Sequence, residues 1–248
     1  MNIVLKYIVN IAAYAALLPL VLTNTASGAS PVVPTTSVGT AFAVSADGYM
    51  LTALHLVLGK SRVHVGPLPS GKWVYATVEH VDPQLDLALL KAPLSTAALP
   101  IASIEEHPSG LDAYVIGFPR PQSGQLDRRI TAGLVSGRLT SRGKRNFWII
   151  SAAVQRGNSG GPVLAADGSV IGMIQGVMAV KMEPDKTDIL DIPQNVNYAV
   201  ESADIIRFLK KHNIIFEINN LNTNLQSTAL QIYRRTMHSI FAVVSGPE

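Results

Sequence analysis

The chain has 248 residues, enough for one or two domains with sizeable cores. At 48% hydrophobic and 15% charged it is not a disordered chain, and a net charge of +3, with basic residues scattered or in isolated pairs (Lys144-Arg145, Arg234-Arg235), excludes a nucleic-acid surface. The absence of cysteine excludes a disulfide framework and a lipoprotein anchor, while 19 Gly and 15 Pro favour many turns and short strands.

Residues 1–29 read as a signal peptide. A short basic start ending at Lys6 precedes an apolar run from Tyr7 to Leu22, and Ser27-Gly28-Ala29 fits a small-x-small cleavage pattern. The rival reading is an uncleaved anchor, although the run is short for a bilayer span and contains Asn10 and Pro19. Cleavage removes Lys6 and leaves 19 basic against 17 acidic residues. An exported chain without disulfides must rely on its core, which suits a bacterial envelope protein.

Residues 30–38, with Pro31 and Pro34, form an extended linker. Short apolar runs then alternate with turn signals. Thr40–Val44 and Tyr49–Thr52 flank Asp47-Gly48, a hairpin signal. Further strands are expected at Arg62–Val65, Trp73–Val78, Leu87–Leu90, Ala113–Ile116, Ile130–Val135 and Phe147–Ile150. Pro162–Leu164 and Val170–Ile174 flank a second hairpin signal, Asp167-Gly168, and Val196–Val200 ends the series. Strands so short and so evenly spaced predict an all-β fold of barrels or sandwiches, not βαβ units. Helical periodicity appears only late, over Ala203–Lys210 and over Ala229–Val243, where Leu230, Tyr233, Met237, Ile240 and Phe241 recur at spacings of three and four. The second helix reads as a cap packed on the domain, or else as a partner or membrane contact.

Residues Arg156–Pro162 read Arg-Gly-Asn-Ser-Gly-Gly-Pro. Ser159 between glycines, on an exposed tight turn, can have its hydroxyl free and backbone N–H groups aimed at one point in front of it, as an acyl-transfer nucleophile requires. The segment also satisfies Gly-x-Ser-x-Gly, but that nucleophile elbow needs a helix directly after the serine, and Gly160-Gly161-Pro162 disfavours one. The base and acid are therefore sought upstream. Of six histidines, His64, His80, His107 and His212 lie among polar or turn residues, whereas His55 follows an apolar strand and has apolar neighbours. A core histidine is the alternative for His55 alone. Asp82 precedes proline and reads as a turn residue. Asp86 opens an apolar strand, where a carboxylate needs a partner: a histidine Nδ1–H, or backbone N–H groups.

Four stretches together resemble the trypsin-like serine peptidases, specifically the bacterial HtrA/DegP group, over about residues 38 to 210. They are the run Gly39 to Val57, Asp86 to Lys91 (Asp-Leu-Ala-Leu-Leu-Lys), Gly133 to Gly137 (Gly-Leu-Val-Ser-Gly) and Gly157 to Pro162. The resemblance implies two antiparallel six-stranded β-barrels, at 39–115 and 116–210, with a C-terminal helical tail at 211–248. It implies a triad in which Ser159 attacks the scissile carbonyl, His55 carries the proton and Asp86 holds the imidazole tautomer, with the N–H groups of Gly157 and Ser159 as oxyanion hole. Asn158 stands where digestive zymogens have an acid that pairs with a freed N-terminus, so activation by that route is not expected. Leu54 stands where a smaller residue or asparagine is usual. The tail is too short for a PDZ domain.

By the same resemblance, Ala153 occupies the floor of the specificity pocket, and Gln175, Gly176 and Tyr198 form its walls. Alanine at the floor disfavours cleavage after Lys or Arg and favours small or aliphatic residues. Asp185, Asp188 and Asp191 in the loop 181–191 read as a solvated loop rather than a cation site. The expectation is a periplasmic or secreted serine endopeptidase that needs no cofactor or metal and acts on protein or peptide substrates. Trimers are common in the resembling group, and the residues before Gly39 give no independent sign of one. The rival is a non-catalytic peptide-binding or chaperone module on the same barrels. An intact His, Asp, Ser set favours the enzyme, and as a base His55 requires activity to fall as pH drops through the imidazole range.

Overall fold

Alternating apolar residues and the Asp47-Gly48 turn fold the first described segment into a hairpin of β1 (Ser37–Ala43) and β2 (Tyr49–Ala53). A computed structural model describes residues 37–104, 107–119, 126–140, 145–177 and 196–246. The predicted leader and most of the linker lie outside the described residues, as does the acidic loop 181–191. Among the described residues no helix is long and apolar enough to cross a membrane.

After β2 come a single helical turn, α1 (Leu54–Val57), and the strands β3 (Arg62–Gly66), β4 (Val74–Asp82) and β5 (Leu87–Lys91). These strands close into a six-stranded barrel in the order β1-β14-β3-β4-β5-β2, where β14 is the last strand of the chain, Ile240–Ser245. β6 (Ile101–Ser103), β7 (Asp112–Gly117), β8 (Arg129–Thr140), β9 (Asn146–Ile150), β10 (Pro162–Leu164), β11 (Val170–Val177) and β12 (Asn197–Glu201) follow. The ring β10-β7-β8-β9-β12-β11 is antiparallel throughout, and the β10–β11 pairing closes it into a second six-stranded barrel. β6 pairs with β11 in parallel, and β13 (Ile218–Asn220) pairs with β6 in parallel at the edge of the same sheet. Because β7 pairs only within the second barrel, the expected division between 115 and 116 cuts through a strand that belongs wholly to one side.

Helix α2 (Ser202–Lys211) covers the predicted Ala203–Lys210 and buries Ile205, Phe208 and Leu209. The expected helix 229–243 is corrected. α3 spans only Ala229–Thr236, a 3-10 turn follows at Met237–Ser239, and β14 takes the rest. Thr228 and Gln231 form a capping box that starts α3. The i, i+3, i+4 apolar spacing is real, but Ile-Phe-Ala-Val-Val is also a strong strand sequence. Inserted between β1 and β3, it satisfies both edges that would otherwise stay open in the first barrel. Leu230, assigned to the packed face, is 55% exposed, and α3 instead buries Ile232 and Thr236. The tail thus contributes to both sheets, β13 as an edge strand beside β6 and β14 within the first barrel.

Candidate active site

The turn between β4 and β5 is built by its aspartates. Asp82 Oδ1 accepts from Gln84 N at 2.8 Å and Leu85 N at 3.1 Å, the capping role expected of an aspartate before proline. The turn ends at Asp86, whose φ of +51° lies in the left-handed region, a conformation aspartate adopts more readily than most side chains. Two contacts hold it there. Leu54 N donates to Asp86 O at 2.9 Å, and Gln175 Nε2, from β11 of the other barrel, donates to Leu85 O.

So placed, the Asp86 carboxylate grips His55, on the first turn after β2, at two points. Oδ1 accepts from the His55 backbone N at 2.8 Å, and Oδ2 lies 2.6 Å from His55 Nδ1. The two side chains are 24% and 22% exposed, open to a substrate but largely shielded from bulk water. An ionised carboxylate only accepts, so Nδ1 carries the proton and Nε2 is left as the basic nitrogen. The core reading of His55 and the backbone-only reading of Asp86 both give way to this pair. Leu54 is accommodated in the first barrel's core at 8% exposure.

Ser159 sits on a turn defined by Asn158 N to Gln155 O (3.0 Å) and Gly161 N to Asn158 O (2.9 Å). Gly160, with φ +79°, rests its Cα on the end of β2: a Cβ there would lie 2.2 Å from Thr40 O and 2.7 Å from Ala53 N. That contact, two residues ahead of His55, brings the Ser159 turn of one barrel to the His55 segment of the other. Gly160 N donates to Ile174 O at 2.7 Å, and Thr40 N donates to Ser159 O at 2.9 Å. Among the described residues, the N–H groups of Gly157 and Ser159 donate to no protein acceptor, and Ser159 Oγ makes no hydrogen bond to His55. In unliganded sites that last contact is often long and tightens with substrate. Asn158 is 3% exposed and its Oδ1 has no partner among the described residues, so a neutral amide fills the place of a buried acid.

The four residues assigned to the pocket separate. Ala153 is exposed, and its carbonyl accepts from Thr131 Oγ1 at 2.8 Å. A Cβ on Gly176 would meet nothing within 4 Å, so this position faces open space. Gln175 is not a free wall, because its amide is committed to Leu85 O across the barrel interface. Tyr198 is buried with an unpartnered hydroxyl, and burial pushes its phenol above the ordinary tyrosine value. Two residues with a part in this geometry have no role of their own legible in the sequence. Asn197 Nδ2 bonds Ile150 O (3.2 Å) and Ala152 O (2.7 Å), tying the segment ahead of Ala153 to β12. Thr40 bonds the Ser159 turn itself; the available signal was a fully buried hydroxyl in β1. A surface groove between the 103–111 segment and residues 220–223 contains none of these residues.

The chain is similar to known serine proteases. Mouse serine protease HTRA4 is 32% identical over 191 residues, which cover 73% of this chain and 35% of that protein. A probable periplasmic serine endoprotease, DegP-like, of Chlamydia pneumoniae is 36% identical over 148 residues, covering 57% of this chain and 29% of the relative. The chain therefore spans about a third of the length of the relatives it matches. Among solved structures, the HtrA-type protease AlgW with decapeptide superposes with a TM-score of 0.57 at 25% identity, covering 71% of this chain and 52% of that one. Residues 39–173 match the trypsin-like peptidase domain, and the chain belongs to that family.

Proposed function

We propose that the protein is a serine endopeptidase acting outside the cytoplasm, with Ser159 as nucleophile, His55 as general base and acid, and Asp86 as the residue that orients the imidazole. The observation that carries this reading is the two-point grip of Asp86 on His55, at 2.8 Å and 2.6 Å, which leaves Nε2 as the basic nitrogen. Ser159 Oγ attacks the peptide carbonyl carbon while its proton passes to His55 Nε2, and the electron pair of the C=O goes to oxygen. The N–H groups of Gly157 and Ser159 donate hydrogen bonds to that oxyanion. His55 then protonates the leaving nitrogen, the C–N bond breaks, and an acyl-enzyme remains on Ser159. Water, deprotonated by His55, repeats the addition; collapse releases the carboxylic acid, and the proton returns to Ser159.

Absence of an acidic side chain at Ala153 supports cleavage after small or aliphatic residues rather than after Lys or Arg. The predicted leader and the name of the Chlamydia relative support export. Labelling with a fluorophosphonate probe tests the assignment: the wild-type protein is labelled and Ser159→Ala is not. Labelling that survives Ser159→Ala, or a wild-type protein that stays unlabelled beside a reactive control peptidase, refutes it.

A further inference from the structure

The geometry points to Thr40 as a positioning residue for the oxyanion turn, an assignment that rests on the peptidase reading above. Thr40 lies in β1 of the first barrel and is fully buried. A buried hydroxyl is stable only when its hydrogen-bonding capacity is used. Here Oγ1 accepts from Phe118 N at 3.0 Å and donates to Gly157 O at 2.7 Å. The Thr40 backbone bonds the same turn one residue beyond the nucleophile's amide, its N donating to Ser159 O at 2.9 Å. Its own carbonyl accepts from Thr52 Oγ1 at 2.7 Å, which fixes β1 against β2. One residue thus holds the carbonyls on both sides of Asn158.

The hydroxyl matters because of what it does to one peptide plane. The peptide linking Gly157 to Asn158 is held at its carbonyl by Thr40 and at its N–H by Gln155 O, 3.0 Å away. A planar trans peptide fixed at both ends has one orientation. The two adjacent N–H groups, of Gly157 and Ser159, are then left unbonded and available to an oxyanion. Gly157 has φ +101° and, as glycine, has little intrinsic preference for this conformation over its alternatives. The selection must come from outside the turn, and Thr40 Oγ1 is the side chain that bonds its carbonyl. Thr40 also pairs with Ala242, so the strand that supports this bond is itself held by the last strand of the chain.

The test uses the rate of fluorophosphonate labelling at saturation and the half-saturating probe concentration, measured on Thr40→Val and Thr40→Ser. Valine keeps the shape and removes the hydroxyl; serine keeps the hydroxyl. The maximal rate of Thr40→Val falls about tenfold to a hundredfold, as expected for loss of a buried bond that aligns oxyanion donors. Half-saturation stays within about twofold, because the ground-state complex makes no use of the oxyanion donors. The pH midpoint of labelling stays with the wild type, since His55 and Asp86 are untouched. Thr40→Ser returns the rate to within about threefold of wild type. Should circular dichroism show the valine variant unfolded, Thr40→Cys, close in volume and a far weaker donor, gives the same readout. A Thr40→Val rate within threefold of wild type overturns the assignment, as does a loss that serine shares, a shifted midpoint or a loss confined to half-saturation. An unlabelled wild type rejects the peptidase reading, whereas a labelled wild type matched by Thr40→Val rejects this role alone.

Discussion

Replacing Phe241 by alanine measures how far the first barrel depends on the last strand of the chain. Phe241 is 2% exposed and pairs with Ala41 in the β1–β14 ladder. A phenylalanine buries roughly 150–250 Å², and at about 25 cal/mol per Å² that is about 4–6 kcal/mol. Allowing for the methyl that remains and for the cavity left behind, the expected loss is about 3–5 kcal/mol. This is a large share of the total of about 5–15 kcal/mol that holds a typical domain together. The two tryptophans give a local reading, because Trp73 stands against Gly66 of the first barrel and Trp148 lies in β9 of the second. In a Trp148→Phe background the fluorescence of Trp73 follows the first barrel during urea unfolding, and Phe241→Ala should move its midpoint down by at least about 1 M. Leu230→Ala, at a position 55% exposed on α3, serves as the control and should change stability by less than about 0.5 kcal/mol. A loss below about 1 kcal/mol for Phe241→Ala, or one no larger than the control's, would refute the placement of β14 as a barrel strand.

Two further expectations follow from the interface of the barrels. Gly160→Ala must place a Cβ 2.2 Å from Thr40 O at φ +79°, so it should cost more than about 2 kcal/mol and abolish fluorophosphonate labelling. Gly59→Ala, with φ +74° but nothing within 4 Å, should cost only about 1 kcal/mol and leave labelling intact; equal effects in thermal melts would contradict the packing argument. His212, at the end of α2, stacks on His80 of β4 with ring centroids 3.9 Å apart. Burial, His80 and Lys211 lower its pKa, with Asp82 opposing. The unfolded chain therefore takes up this proton more readily, so the stabilising contribution is present above the ordinary value of 6.5 and is lost as pH falls below it toward the folded value. His212→Gln should flatten the fall in Tm between about pH 7.5 and 5.5, and a slope equal to wild type would count against it.

Features set by near neighbours in the chain were legible without the structure. Asp47-Gly48 and Asp167-Gly168 turn where the sequence says, because an Asp-Gly pair meets a local backbone requirement whatever surrounds it. Gly160 and Gly161 exclude a helix after Ser159 for the same reason, and Asp82 caps its own turn. What only the tertiary structure decided involves partners distant in sequence. The spacing of Leu230, Tyr233, Met237, Ile240 and Phe241 suits a helix, yet two open edges in the first barrel draw Ile240–Ser245 into a strand. The Gln175 amide bonds Leu85 O, 90 residues away, a contact across the barrels that no local pattern announces. Thr40 belongs to a family-like run but has no role readable there; its part in the site exists because Gly157, 117 residues later, brings a carbonyl within 2.7 Å of its hydroxyl. Local conformational preference shaped the turns, and the need to satisfy buried strand edges and buried polar groups determined what those turns came to face.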